Sequence, residues 1–226
     1  LVDPGGDSDR LREVIAEAGV AHVLATHHHP DHVGGIAAYA DEATVWARRG
    51  RESEFERASG VSPDRTFTPA TTIQTSGGTV EIVDTPGHAP EHVALRVGES
   101  FVTGDLAVAE GSVVVGAPEG DMRAYLSSLR RLHARDPACL YPGHGTVIEA
   151  PRAVLGRLIA HRLDREDRVL AAVDAGTETL EAITDAAYEK DVSDVANLAR
   201  ATVEAHLEKL AVEGAIRWNG QRARPA

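Results

Sequence analysis

The chain has 226 residues, 42% of them hydrophobic, which is enough for one sizeable core and a small extra domain. Its formal net charge of −12 argues against broad electrostatic attraction to nucleic acid or to an anionic membrane. The single cysteine, Cys139, excludes an internal disulfide framework, and no apolar run is long enough to predict a membrane-spanning helix. No signal peptide is visible within these residues, and the location we expect is the cytoplasm.

The chain opens on a turn that leads into a helix. Residues 1–6 have the pattern of a strand end followed by a turn, so we expect further residues upstream. Apolar residues then recur at helical spacing over residues 11–18. They predict a helix with Ser8 or Asp9 as its N-cap and Gly19 as its end.

A buried strand is predicted over residues 20–25, and a strongly polar loop follows it. That loop, residues 26–32, reads Thr-His-His-His-Pro-Asp-His, and helix-like residues begin at 36. A loop between a strand and a helix can aim side chains into a cleft. The spacing His-x-His-x-Asp-His therefore indicates metal binding rather than packing. His28 alternates with its neighbours and is left out of the ligand set.

Strands dominate the middle of the chain, where apolar and polar residues alternate and two pairs form hairpins around glycines. A surface helix or loop is predicted over residues 48–64, and a helix over residues 121–134, with Asp121 near its start. The predicted strands lie at residues 45–47, 71–73, 79–83, 93–97, 100–103, 113–115 and 138–141.

Three further metal-binding residue types, at positions 88, 105 and 144, each follow the end of a predicted strand. Together with the loop at 26–32, this places all candidate ligands at one edge of a sheet system. The candidate ligands comprise five imidazoles and two carboxylates: His27, His29, Asp31, His32, His88, Asp105 and His144.

A set of seven such ligands suits two divalent cations rather than one. Zinc is the metal we expect, with manganese or iron as alternatives. Two ions about 3.5–4 Å apart can lower the pKa of a bridging water and polarise a scissile oxygen. No other nucleophile is indicated, because the chain contains no Gly-x-Ser-x-Gly, Walker or Gly-x-Gly-x-x-Gly motif.

Four motifs together resemble the metallo-β-lactamase superfamily over roughly residues 1–150. They are Thr-His-x-His-x-Asp-His at 26–32, Thr-Pro-Gly-His at 85–88, Thr-Gly-Asp at 103–105 and Pro-Gly-His-Gly at 142–145. The resemblance implies an α+β fold, the αββα sandwich, with a dinuclear site at one edge. It also implies two or three strands before the Val-Asp-Pro-Gly turn, which this sequence lacks.

The resemblance also assigns a role to each candidate ligand. By motif, the first ion would be held by His27, His29 and His88, the second by Asp31, His32 and His144, with Asp105 as the bridge. The residue that matches Asp31 is often also given proton transfer to the leaving group, so Asp31 is the predicted catalytic residue. In having an aspartate at the bridging position, the chain resembles the members of the superfamily that hydrolyse thioesters, lactones and phosphodiesters. Many true β-lactamases of this fold have Cys or Ser there, so antibiotic hydrolysis is not expected.

Three predicted helices and a strand make up the C-terminal third, at residues 151–174, 179–188, 192–214 and 214–218. This order is similar to a winged helix. The whole chain resembles the lactamase-beta-2-like group, which joins the hydrolase fold to such a domain. We therefore predict a hydrolase domain over residues 1–160 and a winged-helix-like domain over residues 161–226.

Charge disfavours DNA binding by the C-terminal domain, since residues 165–226 carry eight Lys or Arg and twelve Asp or Glu. We expect this domain to pack on the hydrolase domain and to wall the active-site cleft. His161 and Arg162 are candidate contacts for an anionic substrate group, with a salt bridge or a surface pair as the alternative. His133 and His206 lie on predicted helices and are expected to be solvated.

The sequence thus favours a metal-dependent hydrolase of a small-molecule thioester, ester or lactone. The alternative is cleavage of phosphodiesters in single-stranded RNA. A hypothesis from a different class is a non-catalytic regulator that binds DNA through its winged helix. No membrane partner is expected, and the sequence leaves the substrate, the loaded metal and the oligomeric state open.

Overall fold

The computed structural model of the protein describes residues 1–188 and 193–226, which form two compact units. The first unit comprises residues 1–85, 91–110 and 137–150, and the second comprises residues 86–90, 111–136 and 151–226. Both units are thus built from discontinuous segments. The domain division at residue 160 stays a prediction, because units defined by contacts do not test it.

The first unit contains two β-sheets. One is parallel, with strand order β1-β2-β3, and the other has order β4-β5-β6-β7-β8 and is antiparallel except for the parallel pair β7 and β8. The strands are β1 (His22–Leu24), β2 (Thr44–Arg48), β3 (Arg65–Phe67), β4 (Thr72–Thr75), β5 (Gly78–Asp84), β6 (Val93–Val97), β7 (Ser100–Gly104) and β8 (Cys139–Pro142).

Short helices cover the outer face of the parallel sheet. They are α1 (Asp9–Ala18), α2 (Pro30–Val33) and α3 (Glu52–Ser59), with a 3₁₀ turn at Ile36–Ala38. Of the two predicted N-caps of α1, Ser8 is the one observed, since its hydroxyl accepts the Leu11 N–H at 3.2 Å.

Adjacent residues of a strand point to opposite faces, and β1 shows how this builds the layers. Val23 packs with Ile36 and Phe55 on the helical side, whereas Leu24 packs with Leu95 of the second sheet. The first unit therefore has a helical layer, a parallel sheet and a second sheet stacked in that order.

Three strands of the first unit end next to candidate ligands. The polar loop follows β1, Asp105 follows β7, and His144 lies two residues after β8. Because β7 and β8 are parallel, with Gly104 paired to Pro142, their ends lie at the same edge of the sheet. The edge predicted from the sequence is thus formed within this unit.

The second unit is mainly helical, and it ends in the antiparallel pair of β9 and β10. Val169, Ile183, Leu207 and Ile216 are among the residues of its core. The predicted winged helix stays a prediction, and Val192, the expected start of the third helix, lies outside the described residues. The elements are α4 (Met122–Ala134), α5 (Pro151–Asp174), α6 (Leu180–Ala187), α7 (Ala196–Val212), β9 (Ile216–Trp218) and β10 (Ala223–Pro225), with a 3₁₀ turn at Ser193–Val195.

Two expectations in this unit are wrong. Residues 113–115 form no strand, and the carbonyl groups of Val113 and Val114 accept hydrogen bonds from side chains instead. His206 is completely buried rather than solvated, and its Nδ1 lies 3.2 Å from Glu166 Oε2. A helix that packs on several neighbours buries residues on more than one side, which periodicity alone does not reveal.

Within residues 1–188 and 193–226, we find no helix with both the length and the apolar character needed to cross a bilayer. The cytoplasmic location stays a prediction.

Two leucines of α7 provide a matched test of the second core. Leu207 is fully buried, whereas Leu198 is 48% exposed. We expect Leu207→Ala to lower the free energy of unfolding by about 2–5 kcal/mol, because it leaves a cavity. We expect Leu198→Ala to change it by less than about 0.5 kcal/mol. Urea denaturation followed by circular dichroism measures both, and equal losses would contradict the described packing.

Candidate metal centre

The carboxylate of Asp3 organises the polar loop after β1. Its Oδ1 accepts the Thr26 N–H at 2.6 Å, and its Oδ2 accepts the Thr26 hydroxyl at 2.7 Å. The Thr26 hydroxyl has a single proton, so toward His27 Nδ1, 3.0 Å away, it acts as the acceptor. His27 therefore carries its proton on Nδ1 and its lone pair on Nε2. That Nε2 lies 3.0 Å from His29 Nδ1, which brings these two candidate ligands together.

The same carboxylate orients His32. Asp3 Oδ2 lies 2.9 Å from His32 Nδ1, and a carboxylate only accepts, so Nδ1 is the donor. The opposite nitrogen, His32 Nε2, is buried and has no hydrogen-bond partner among the described residues. Burial by itself lowers the pKa of His32, but the carboxylates of Asp105 and Asp3 raise it to about 10. The surroundings thus favour positive charge at this nitrogen, whether a proton or a cation carries it.

The donor atoms around His32 are spaced as ligands of a common cation. His32 Nε2 lies 3.3 Å from Asp105 Oδ1 and 3.8 Å from Asp31 Oδ2. His144 Nε2 lies 3.2 Å from Asp31 Oδ2 and 3.6 Å from Asp105 Oδ1. Two ligands of a tetrahedral zinc ion are about 3.4 Å apart, given metal–ligand bonds of about 2.1 Å. Most of these distances exceed those of ordinary hydrogen bonds, so the residues fit a cation better than they fit one another.

Two overlapping triads of metal-binding groups result in the first unit. One consists of His27, His32 and Asp105, and the other of Asp31, His32 and His144. Within each triad the donor atoms lie within 4.8 Å of one another. The first triad is buried, whereas the side chains of Asp31 and His144 are 59% and 52% exposed. The predicted ligands of the first unit thus converge, with the second triad open to solvent.

The remaining predicted ligand, His88, belongs to the second unit. Its Nδ1 lies 2.7 Å from the carbonyl oxygen of Val114. A carbonyl cannot donate, so His88 also carries its proton on Nδ1 and its lone pair on Nε2. Metal-ligating histidines commonly donate their other N–H in this way, which fixes the tautomer.

The loop that carries His88 is held on α4. The Ser128 hydroxyl donates to the Pro86 carbonyl at 2.8 Å, and the Asp121 N–H donates to the Gly87 carbonyl at 2.8 Å. Asp121 is also the N-cap of α4, where its side chain accepts the Ala124 N–H. The position of His88 is thus defined by the start of a stable helix.

Gly143 explains why the last motif contains a glycine before its histidine. A Cβ atom at this position would lie 2.6 Å from His32 Cε1 and 2.9 Å from Asp105 Oδ1. Both distances are far inside van der Waals contact, so a side chain would displace two predicted ligands. The glycine lets β8 approach the ligand cluster closely.

Sequence reasoning missed Asp3, and it indicates His92, four residues after His88, only as a candidate support for the ligands. Asp3 was interpreted only as part of a turn. The buried His92 accepts the Asp105 N–H on Nε2 at 3.1 Å and lies 3.1 Å from the Thr85 carbonyl through Nδ1, which makes it a neutral support for Asp105. Apart from the short spacing between His88 and His92, no local pattern marks these residues, because their partners are distant in sequence.

His28, which is not a predicted ligand, is held by a different carboxylate. Its backbone N–H donates to Glu91 Oε1 at 3.0 Å, and its Nδ1 contacts the same oxygen. Burial raises the pKa of Glu91, but the bonds from His28 outweigh this and lower it to about 2. These contacts fix the loop between His27 and His29.

The two predicted substrate contacts have different surroundings. His161 is exposed on α5, whereas Arg162 is 3% exposed and donates to the carbonyl of Val113. The guanidinium of Arg162 also lies 5.5 Å from the centre of the Tyr125 ring. A role for either residue in substrate binding stays a prediction.

Comparisons with known proteins show the family of this chain. A family model described as the metallo-beta-lactamase superfamily matches residues 1–144. A Drosophila melanogaster protein named beta-lactamase-like protein 2 homolog is 31% identical, over 96% of this chain and 80% of its own length. A protein of Emericella nidulans named thioesterase pkgB is 31% identical, over 69% of this chain and 43% of its own length.

Solved structures support the same fold. The crystal structure of a beta-lactamase domain protein from Burkholderia ambifaria matches with a TM-score of 0.83. The match covers 100% of this chain and 82% of that chain, at 22% sequence identity. At that identity the likeness concerns the fold alone.

The contacts of Asp3 generate a prediction about metal affinity. Asp3→Asn removes the charge that holds Thr26 and His32, and we expect the affinity for zinc to fall roughly 10–100-fold. Competition with a chromophoric chelator measures this affinity. The control is Asp7→Asn in the same loop, since the Asp7 carboxylate contacts Arg12 and no predicted ligand. Equal affinities for the two variants would show that Asp3 does not support the metal centre.

Proposed function

The chain belongs to the metallo-β-lactamase superfamily of hydrolases, and we propose that it uses two divalent cations to hydrolyse a thioester, ester or lactone. The observation that carries the proposal is the spacing of donor atoms among Asp31, His32, Asp105 and His144. Separations of 3.2–3.8 Å suit ligands that share a cation.

The proposed ligand set is the one expected from the sequence, with zinc as the metal and manganese or iron as alternatives. Imidazole and carboxylate donors suit all three. His88 enters the set by its motif alone: His27, His29 and His88 for one ion, Asp31, His32 and His144 for the other, with Asp105 as the bridge. When bound, a pair of divalent cations supplies an activated water and offsets negative charge on the scissile oxygen.

Groups behind the ligands prepare the site before substrate arrives. The Thr26 hydroxyl holds the proton of His27 on Nδ1, and Asp3 holds that of His32 on Nδ1. Both imidazoles therefore direct Nε2 toward the proposed centre without rotating. His92 holds the backbone of Asp105, which keeps the bridging carboxylate in place. Such preorganisation reduces the reorganisation needed during reaction.

Asp31 is proposed to transfer the proton to the leaving group. Its side chain is 59% exposed, so substrate and water can reach it, while Oδ2 stays 3.2 Å from His144. Asp105 is less suited to that role, because it is buried. A carboxylate at the open side of the centre can take a proton from water and pass it to a departing thiolate or alkoxide.

Two observations support a thioester, ester or lactone as the substrate class. The relative named thioesterase pkgB shares 31% identity with this chain, although the chain spans only 43% of its length. The net charge of −12 also disfavours a polyanionic substrate such as RNA. A small acyl substrate therefore fits the chain better than a nucleic acid.

The decisive variant is Asp105→Asn, which keeps the volume of the side chain and removes its charge. We expect the parent to hold about two ions per chain, as two-metal sites do, and the variant to hold fewer. We expect hydrolysis by the variant to fall at least about 100-fold, as for loss of a catalytic electrostatic group. Elemental analysis gives the metal content, and a panel of acyl-pantetheine thioesters, lactones and single-stranded RNA gives the activity.

Asp64→Asn is the matched control in the same unit, because Asp64 accepts only a strand N–H, that of Val45, among the contacts we describe. It should keep the parent's metal content and rate. Parent activity in Asp105→Asn on every substrate would refute the two-metal mechanism. Cleavage of RNA alone would replace the acyl substrate class with phosphodiesters.

We further infer that residues 161–226 form a winged-helix-like domain whose role is structural. The exposed Arg200 is one of two basic residues on α7, and the other, Lys209, is buried and paired with Glu166 and Glu213 at 2.6 and 2.7 Å. A recognition helix needs exposed cations for phosphates. This pairing of Lys209 leaves α7 poorly suited to DNA.

A gel-shift experiment with random duplex DNA tests the regulator hypothesis. We expect no shift at micromolar protein and 150 mM salt, because acidic surfaces repel the phosphate backbone. Arg200→Glu serves as the control for weak residual binding. A shift that the parent gives and Arg200→Glu abolishes would establish α7 as a DNA-binding helix and overturn the structural role.

A further inference from the structure

We propose that Arg162 is a positioning residue for His88, which it orients through the extended segment at residues 111–117. The proposal deepens the function above, and it rests on that function only for the role of His88 as a metal ligand. Arg162, His88 and the segment all belong to the second unit. Every contact in the argument is therefore internal to one compact unit.

The first step is the bond between His88 and the segment. His88 Nδ1 donates to the Val114 carbonyl at 2.7 Å, which leaves the Nε2 lone pair for a ligand. If this carbonyl turned away, the imidazole would lose the group that selects its tautomer. The orientation of the peptide group at Val114 therefore decides which nitrogen of His88 can bind a cation.

The second step is that no sheet holds this peptide group. The segment forms no helix and pairs with no strand within the described chain, so its conformation depends on other contacts. At one end Arg157 donates to the Gly111 carbonyl at 2.7 Å, and at the other the Ala117 N–H donates to the Ala201 carbonyl at 3.1 Å. Between these ends, Arg162 donates to the Val113 carbonyl.

The third step concerns the direction of the two carbonyl groups. Val113 and Val115 are buried, whereas the Val114 side chain is 39% exposed, as expected when an extended chain alternates its faces. Consecutive carbonyl groups then point to opposite sides of the segment. Arg162 therefore donates to the Val113 carbonyl from one side of the segment, and His88 donates to the Val114 carbonyl from the other. Because the two peptide groups are adjacent, fixing the first constrains the second.

The fourth step is that Arg162 also contacts the helix behind His88. Its guanidinium lies 5.5 Å from the centre of the buried Tyr125 ring, close enough for a cation–π contact. A Cβ atom at Gly87, the residue before His88, would run into the Tyr125 backbone. Arg162 therefore touches both the segment that binds the imidazole and the helix that supports its loop.

A buried arginine is costly, so the other buried arginine of the described residues, Arg165, is informative. Arg165 is also buried on α5, also donates to a backbone carbonyl, that of Ala187, and also lies over a tyrosine, Tyr188, at 3.6 Å. These two partners, Ala187 and Tyr188, make no hydrogen bond to His88 or to residues 111–117 among those given for this unit. Arg165 is therefore a matched control for the general effect of removing a buried arginine.

The experiment compares Arg162→Met with Arg165→Met in the full-length chain. Nitrogen-15 NMR of the imidazoles, after removal of metal by a chelator, reports the His88 tautomer, with the signals assigned by comparison with His88→Asn. We expect the parent and Arg165→Met to show His88 protonated on Nδ1, and Arg162→Met to show a mixture of both tautomers. Thermal unfolding verifies that the two methionine variants lose similar stability.

A second measurement links the tautomer to metal binding. Cobalt(II) added to the same proteins reports ligation through its visible absorption. We expect Arg162→Met to bind one of two ions roughly 10–100-fold more weakly, and Arg165→Met to match the parent. If Arg162→Met does not fold, Arg162→Gln replaces it, since its amide can still hydrogen-bond in the buried site but is shorter by two atoms and does not reach as far.

The possible outcomes separate this inference from the proposed function. An unchanged His88 tautomer in the Arg162 variant, or an equal change in Arg165→Met, would overturn the positioning role. A shifted tautomer only in the Arg162 variant, without cobalt binding by any protein, would support the positioning role and refute the metal centre. A shifted tautomer together with selectively weakened cobalt binding would support both.

Discussion

The centre of the first unit depends on one carboxylate. Asp3 accepts three hydrogen bonds, from the backbone and hydroxyl of Thr26 and from His32, and through Thr26 it also determines the tautomer of His27. Because the Asp3 carboxylate fixes both His27 and His32, both imidazoles direct Nε2 toward the centre. The charge of Asp3 also makes His32 a more basic ligand than a neutral acceptor would. A buried carboxylate at this point is stable only because all of these donors surround it.

In the second unit, a neutral group rather than a carboxylate orients the imidazole of the predicted ligand. His88 is oriented by a backbone carbonyl, and that carbonyl belongs to a segment that no sheet holds. Side chains of α5 provide the missing bonds, which accounts for an arginine, Arg162, inside a helical core. The helical unit therefore positions a predicted ligand as well as forming a core of its own. It places one ligand-type residue with the precision that the first unit obtains from its sheets.

Close approach is the second requirement of the centre. Gly143 lies so near His32 and Asp105 that a single methyl group would displace them.

Buried polar side chains of the second unit are paired with one another. Glu166 contacts both His206 and Lys209. These contacts offset part of the cost of burying His206 and Lys209, because desolvation makes an unpaired charge costly. Because Glu166 is shared, its removal would affect both His206 and Lys209.

The sequence by itself predicted most of the secondary-structure elements and the set of candidate ligands. Periodicity predicted the helix that became Met122–Ala134 and the hairpins of the second sheet, and spacing marked the polar loop, with Asp31 as one of its candidate ligands. These are local properties of ten or so residues. Only the tertiary structure decided that residues 113–115 bind side chains instead of a strand, that His206 is buried, and that Asp3 supports the centre. Such contacts join residues far apart in the chain, so no local pattern encodes them.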